Sequence, residues 1–173
     1  NCGFSEYIVA DSTRRGTGLG RRLFERRKAL LDEQARAYGY PACSGLFIEA
    51  DNPDRTPADL VDAERETALD PRERLRLFDH LGFRKVDVPY VQPPLATGKQ
   101  PIAYLDLLFA PWRQQHTDRI AAATVFATVE PVWSAWSADA AAHLAALRRL
   151  VTTAEVALEP LGDARQTVAQ PLG

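Results

Sequence analysis

The spacing of apolar residues predicts a chain in which strands and helices alternate. Apolar or alternating runs predict strands at residues 4–10, 45–50, 83–91 and 102–109. Between the first two strands, a helical period keeps one apolar face from Leu19 to Tyr38, and Gly39 follows as a residue that ends helices. The region up to Pro111 therefore has about four strands and two or three helices.

Helix-start signals add detail between the second and third strands. Pro57 stands at the first position of one predicted helix. Asp70 is predicted to cap the next helix, with Glu73 three residues further on, and that helix is expected to end at Gly82. The stretch 92–98 contains two prolines and a glycine, which indicates a rigid, irregular loop.

The last third of the chain, residues 113–173, has a different character. It is rich in alanine and is predicted to be helical, with a break between two helices at Pro131. Ser137 is placed to cap a helix with one apolar face, which consists of Ala140, Leu144, Leu147, Leu150, Val151 and Ala154. Such a face is too apolar to meet water alone, so we expect it to be buried against the rest of the chain or a second copy.

A glycine-rich segment lies between the first predicted strand and the first predicted helix. Its glycines are Gly16, Gly18 and Gly20, and Arg15 and Arg21 add positive charge. Glycines let backbone N–H groups approach an anion closely, and the first N–H groups of a helix have no partner within the helix. The segment is therefore a candidate phosphate-binding loop, although it matches neither a Walker loop nor a dinucleotide fingerprint.

The spacing Arg15-x-x-Gly18-x-Gly20 resembles the acyl-CoA pyrophosphate loop of the GNAT N-acetyltransferases. Three more segments follow in the order of that family: 45–50, then 77–83, whose sequence Leu-Phe-Asp-His-Leu-Gly-Phe is similar to a helix-to-strand signature, then 102–109. The resemblance covers roughly residues 4–111 and corresponds to the second half of the family domain, from its fourth strand onward.

This resemblance implies an α/β fold, with a GNAT-like mixed sheet, helices on both of its faces and an incomplete N-terminus. It implies a GNAT-like domain at residues 1–112 and a helical extension at 113–173. Since the chain begins at Asn1 and contains no methionine, we expect a missing N-terminal segment, a homodimer or a truncated sequence.

The resemblance also implies the chemistry. An acetyl group would pass directly from acetyl-CoA, the co-substrate, to a small-molecule or peptide amine. The acetyl and pantetheine end would lie against Ile8, Val9 and Ala10. The pyrophosphate would be held by the loop residues Arg15, Gly16, Thr17, Gly18, Leu19, Gly20 and Arg21.

Acetyl transfer to an amine needs a base and an acid, and the sequence offers candidates for both. Glu49 lies in an otherwise apolar strand, where desolvation raises the pKa of a carboxyl group, and it is similar to a strand glutamate that serves the family as base. An exposed or salt-bridged glutamate is the equal alternative. The family's usual acid is a tyrosine at the position of Phe78, which carries no proton to donate, so Tyr90, Tyr104 or water would take its place.

Composition and charge narrow the possible partners, cofactors and location of the protein. The net charge of −2 among 173 residues implies no strong field for nucleic acid or a membrane surface. Cys2 and Cys43 have no metal-ligand spacing, so we expect reduced thiols, no metal and a cytoplasmic location. Abundant arginine and alanine indicate a bacterial source.

The alternatives to an enzyme are a non-catalytic acyl-CoA-binding module and a domain whose helical tail binds a partner chain.

Overall fold

The computed structural model describes residues 1–6, 16–67, 69–96, 98–113 and 117–161. Within these residues the chain is an α/β protein with a mixed, open sheet. The strands are β1 (Gly3–Ser5), β2 (Gly45–Asp51), β3 (Arg84–Val86), β4 (Leu105–Pro111), β5 (Arg119–Ala121) and β6 (Glu155–Glu159). The helices are α1 (Leu19–Ala37), α2 (Ala58–Thr67), α3 (Pro71–His80), α4 (Ala122–Trp136) and α5 (Ala140–Leu150).

The sheet is organised around its two longest strands. Its order is β1-β2-β4-β3-β6-β5. β2 and β4 are antiparallel from Gly45↔Pro111 to Asp51↔Leu105, and nearly all of their residues are buried. Such continuous apolar runs are typical of strands that are covered on both faces. β1 and β2 form a parallel pair, whose register ends at Ser5↔Ile48.

Two hydrophobic cores lie on opposite faces of this sheet, because successive side chains of a strand point to opposite sides. The first core joins Phe47 of β2 and Leu107 of β4 to α4 and α5. The second core joins Leu46 and Leu108 to α1 and α3. The predicted placement of helices on both faces of a mixed sheet is confirmed.

Several predicted boundaries are also confirmed. α1 ends just before Gly39, which adopts a left-handed conformation with φ of 83°. The side chain of Asp70 caps α3 by accepting hydrogen bonds from the backbone N–H groups of Arg72 and Glu73. The helix predicted to follow Pro57 is α2.

Two of the predicted strands need correction, and part of a third lies outside the described residues. The run 83–91 forms a strand only at Arg84–Val86, because the N–H of Val88 turns back to the carbonyl of Val86 and Pro89 has no N–H to donate. The run 102–109 contributes one isolated bridge at Ile102, and the strand proper begins at Leu105. Of the run 4–10, residues 7–10 lie outside the described residues.

The expectation of a purely helical extension is wrong. β5 and β6 both lie within 113–173, and β6 pairs with β3, so the extension continues the sheet. Pro131 lies inside α4 and does not separate two helices. Ser137, in an extended conformation, ends α4; α5 begins at Ala140, and its N-cap position is occupied by Asp139.

The apolar face of α5 is buried against the rest of the chain, as predicted. Ala140, Leu144 and Leu147 belong to the first core. The predicted face extends too far, however, because α5 ends at Leu150, whose side chain is 65% exposed. Among the described helices, none is both long and apolar enough to cross a membrane.

The two leucines of α5 give a direct test of this packing. Leu147→Asp should lower the free energy of unfolding by at least about 3 kcal/mol, because apolar burial is lost and a carboxylate enters the core without a partner. Leu150→Asp on the same helix should change it by less than about 0.5 kcal/mol. Urea denaturation followed by circular dichroism measures both values, and equal losses would contradict the assigned faces of α5.

Candidate functional site

Glu49 lies near the carboxyl end of β2, one residue beyond the last pair in the register of β1 with β2. It shares a face of the strand with Phe47, so it points toward the side of the sheet that α4 and α5 cover. Leu107 of β4 lies directly opposite, and the residue is half-buried. The carboxyl group of Glu49 therefore lies at the edge of the first core.

Both oxygens of this carboxyl group accept hydrogen bonds. The Tyr90 hydroxyl donates to Oε1, and Nε2 of Gln92 donates to Oε2 at 2.6 Å. Gln92 is held in place by its backbone, which exchanges two hydrogen bonds with Ile102. The irregular chain after β3 thus brings two polar side chains to one end of β2.

The extension supplies a further contact. Nε1 of Trp133, on α4, donates a hydrogen bond to the Tyr90 hydroxyl oxygen at 3.1 Å, and the two rings have centroids 5.6 Å apart. Nearby, Nε1 of Trp136 donates to Oε1 of Glu6 at 3.0 Å. Residues from β2, from α4 and from the segments after β1 and β3 therefore meet around Glu49.

Burial raises the pKa of Glu49 above its ordinary value of 4.5, and the charges of Glu6 and Asp51 act in the same direction. The hydrogen bonds from Tyr90 and Gln92 oppose this effect because they stabilise the carboxylate. Burial, followed by the charge of Glu49, raises the pKa of Tyr90 well above its ordinary value. Tyr90 therefore remains protonated at neutral pH and acts as a donor.

The other carboxylates on these strands have cationic partners. Asp51 lies 3.0 Å from Arg74, and Asp106 of β4 lies 2.5 Å from Arg55. Glu49 forms no ion pair with any residue in the described ranges. A half-buried carboxyl group with a raised pKa and no cation beside it is suited to accept a proton from a ligand.

The candidate phosphate loop is described only in part. Gly16 and Gly18 adopt left-handed conformations, with φ of 74° and 73°. Gly18 is the N-cap of α1 and offers no side-chain cap; no acidic residue follows in the first turn. Thr17 and Arg21 are exposed, and Leu19 and Gly20 form the first turn. Ile8, Val9, Ala10 and Arg15 lie outside the described residues.

The two parts of the candidate site belong to the same end of the sheet. β1 and β2 are parallel, so their carboxyl ends share one edge. α1 runs antiparallel to β1, because Leu31 of α1 lies beside Gly3 and Arg27, one turn earlier, donates a hydrogen bond to the Ser5 hydroxyl, so the N-terminus of α1 lies toward this edge. Glu49 lies near the same end of β2. Ligands of open α/β sheets bind outside the carboxyl ends of parallel strands.

The structure brings Glu49 and Tyr90 together, but it separates Phe78 from them. The Phe78 ring packs edge-on against Phe83 in the second core, with centroids 5.5 Å apart, on the opposite face of the sheet. Tyr104 packs partly buried against the first core, and its backbone carbonyl accepts a hydrogen bond from Asn52. Of the two tyrosines that the sequence offered, Tyr90 is the one hydrogen-bonded to Glu49.

Sequence reasoning missed Gln92 and Trp133. Gln92 lies in a segment that the sequence predicts only as an irregular loop. Trp133 follows Pro131, where the sequence predicts a helix break that the structure does not contain. Neither residue has a sequence signal that connects it to Glu49, because the contacts span 43 residues in both cases, Gln92 to Glu49 and Trp133 to Tyr90.

A separate cavity of about 400 Å³ lies between β1 and α4. Its lining includes Cys2, Phe4, Thr124, Thr128 and Pro131, and it does not include Glu49 or Tyr90. Burial raises the pKa of the Cys2 thiol to about 11, so this thiol is a weak nucleophile at neutral pH. In the described part of the chain, no three His, Cys, Asp or Glu side chains are grouped so that they could hold a metal ion.

Comparison of the chain with models of protein families, with curated proteins and with solved structures gives no match. The function of this chain is therefore inferred from its own residues and their geometry.

The raised pKa of Glu49 predicts a pH-dependent cost in stability. The folded state binds the Glu49 proton more tightly than the unfolded state does, so this group's stabilising contribution is present below its ordinary pKa of 4.5 and is lost as pH rises through the folded value. The stability of Glu49→Gln relative to the unaltered chain should therefore increase between pH 4 and pH 8. Urea denaturation at several pH values measures this difference.

Glu25→Gln, at an exposed position of α1, controls for the removal of one negative charge. A difference between Glu49→Gln and the unaltered chain that stays constant across this pH range would show that Glu49 is not desolvated in the folded protein.

Proposed function

We propose that this chain carries an N-acyltransferase site that moves an acetyl group from acetyl-CoA to an amine by direct transfer, with Glu49 as the general base. The observation that carries the proposal is the state of Glu49: half-buried, with a donor on each oxygen and no ion pair among the described residues. The GNAT resemblance of the glycine-rich loop and the segments after it supplies the reaction class.

The electrostatics of the site suit an amine acceptor. The charges of Glu6 and Asp51 act on Glu49, so the site favours a cation, and a protonated amine is attracted to it. An ammonium group has no lone pair with which to attack a thioester and must first lose a proton. A carboxylate whose pKa is raised by burial is a better acceptor for that proton than an exposed one.

In the proposed reaction, proton transfer to Glu49 precedes attack on the thioester. Glu49 accepts a proton from the ammonium group, and the neutral amine nitrogen attacks the carbonyl carbon of the thioester. The new C–N bond gives a tetrahedral intermediate, which collapses with cleavage of the C–S bond. The nitrogen still carries an extra proton after the attack, and it gives this proton to the departing CoA thiolate directly or through water, so the products are the amide and the CoA thiol. Glu49 returns its proton to the solvent, and Tyr90 keeps its own, which it donates in a hydrogen bond to Glu49.

The start of α1 supports binding of the CoA pyrophosphate. Its N-cap residue, Gly18, has no side chain to cap the first N–H groups, two left-handed glycines precede the helix, and Arg21 lies in the first turn. Such an arrangement favours an anion. By the resemblance, Ile8, Val9 and Ala10 would hold the acetyl and pantetheine end, and Arg15 would add charge at the pyrophosphate.

We place this activity in the cytoplasm, where thiols stay reduced. Cys2 and Cys43 are both free, and Cys43 is buried. The acceptor in this proposal is a small-molecule or peptide amine, and the proposal requires neither a metal ion nor nucleic acid.

Binding of acetyl-CoA can be tested at Gly18. Gly18→Glu should reduce the affinity at least about a hundredfold, because a carboxylate at the helix N-terminus repels the pyrophosphate and competes for its N–H groups. Gly39→Glu is the matched control: it introduces the same charge at another left-handed glycine, after the end of α1. Calorimetric titration with acetyl-CoA measures both affinities, and equal affinities would remove the loop from the proposal.

The role of Glu49 as general base is tested by measuring turnover. Glu49→Gln should leave acetyl-CoA affinity within a few-fold but lower kcat by about 10²–10⁴, and the loss should shrink at high pH, where the free amine is already neutral. Thiol release is followed with a thiol-reactive dye and a panel of primary amines: an amino-acid amide, a short peptide with a free N-terminus, a diamine and an aminoglycoside.

Glu25→Gln serves again as the control for charge. A pH–rate profile of Glu49→Gln that coincides with that of the unaltered chain would remove Glu49 from the mechanism. Tight binding of acetyl-CoA by the unaltered chain, without thiol release for any amine of the panel, would favour a non-catalytic acyl-CoA-binding module.

A further inference from the structure

The hydrogen bond between Trp133 and Tyr90 has a fixed direction. An indole N–H can only donate, whereas a tyrosine hydroxyl carries one proton and accepts through its oxygen lone pairs. Trp133 Nε1 lies 3.1 Å from the Tyr90 hydroxyl oxygen, so that oxygen is the acceptor of this bond. The single hydroxyl proton of Tyr90 is then directed toward its other neighbour, Oε1 of Glu49.

Burial enforces this direction. The side chains of Tyr90 and Trp133 are 3% and 1% exposed, so bulk water offers the Tyr90 hydroxyl no easy replacement for either bond. The indole is itself anchored in the first core, where α4 packs against β2 and β4. A residue of the extension therefore determines which way a proton points at the proposed base.

We propose that Trp133 is a positioning residue of the acyltransferase site, which keeps the Tyr90 hydroxyl as a donor to Glu49 and so keeps Glu49 ready to accept a proton from the amine. This inference rests on the proposed function. Without the indole N–H, the Tyr90 oxygen is free to accept a hydrogen bond from the protonated carboxyl group. The protonated form of Glu49 is then stabilised by a hydrogen bond to Tyr90, and the carboxylate is no longer the only form that Tyr90 stabilises.

The groups that surround Glu49 define what else contributes to its titration. Among the residues that the structure describes, the ionisable ones are Glu6 after β1, Asp51 on β2 and Tyr90 itself. From β4 the apolar Leu107 lies opposite, and α4 contributes uncharged indoles. Apart from the Trp133 indole itself, none of these groups is altered when Trp133 is replaced, so a change in the titration of Glu49 reports on the lost N–H.

The first experiment compares two indoles. Trp133→Phe removes an N–H that donates to Tyr90, whereas Trp112→Phe removes a buried N–H that has no hydrogen-bond partner within the described residues, on the opposite face of the sheet. In Trp133→Phe, kcat/KM with acetyl-CoA at pH 6 should fall about threefold to tenfold more than at pH 9, because a smaller fraction of Glu49 is ionised. In Trp112→Phe, kcat/KM should change equally at both pH values.

A second variant protects the test against misfolding. In a chain with Trp112→Phe and Trp136→Phe, the remaining tryptophan, Trp133, is replaced biosynthetically by benzothienylalanine, which keeps the bicyclic shape but lacks the N–H donor. The Glu49 carboxyl is then followed by carbon NMR of glutamate-labelled protein as the pH is raised, without any ligand. Its titration midpoint should move to higher pH than in the same chain with tryptophan.

The NMR titration of Glu49 and the thiol-release assay test the positioning role of Trp133 and the acyl transfer separately. An unchanged Glu49 midpoint in the benzothienylalanine protein would overturn the positioning role, whether or not the chain is an enzyme. An upward shift in a chain that shows no thiol release would support the positioning of the proton and would count against the proposed acyl transfer. Parallel losses at pH 6 and pH 9 in Trp133→Phe would identify Trp133 as a structural residue only.

Discussion

The antiparallel pairing of β2 with β4 is the interaction on which the rest of this structure depends. Its seven register pairs join two strands that are apolar on both faces, so each face must be covered by helices. α1 and α3 cover one face, and α4 and α5 cover the other. Because the extension supplies one of these two layers and β6 continues the sheet beside β3, residues 117–161 are integral to the fold of the described chain. Removing them would expose the first core to water.

The same pairing makes Glu49 unusual. A carboxyl group in an apolar strand loses hydration, and such a loss is tolerated only when hydrogen bonds replace part of it. Tyr90 and Gln92 provide those bonds, and Trp133 fixes the Tyr90 hydroxyl from the other side. The neighbouring carboxylates of Asp51 and Asp106 have arginine partners instead. Two kinds of compensation thus coexist within one strand pair, and only the kind found at Glu49 leaves a proton acceptor with no cation bound to it in the described ranges.

How far the sequence predicts this protein depends on the range of the interactions involved. The cap at Asp70 and the helix end at Gly39 are local, and they form as the sequence predicts because backbone conformation and nearby hydrogen bonds determine them. The run 83–91 is a contrasting case: its alternation predicts a long strand, but only three residues pair. Alternation of apolar and polar residues indicates which side chains are buried. It does not indicate that the strand ends where the backbone turns and a proline follows.

The apolar face that the sequence predicts for α1 is wrong in part, because Leu23, Leu30 and Tyr38 are exposed, whereas Phe24 is buried. By itself, the sequence determined the order of strands and helices through β4, the buried part of the apolar face of α5, and the unusual position of a glutamate among apolar residues. Those properties follow from periodicity and from the conformational preferences of single residues. Only the tertiary structure decided that α4 lies over β2, that β6 extends the sheet, and that Tyr90, Gln92 and Trp133 meet at Glu49. Their contacts join residues about 40 positions apart in the chain, and the packing of whole layers sets such distances, since each strand must bury both of its faces at once.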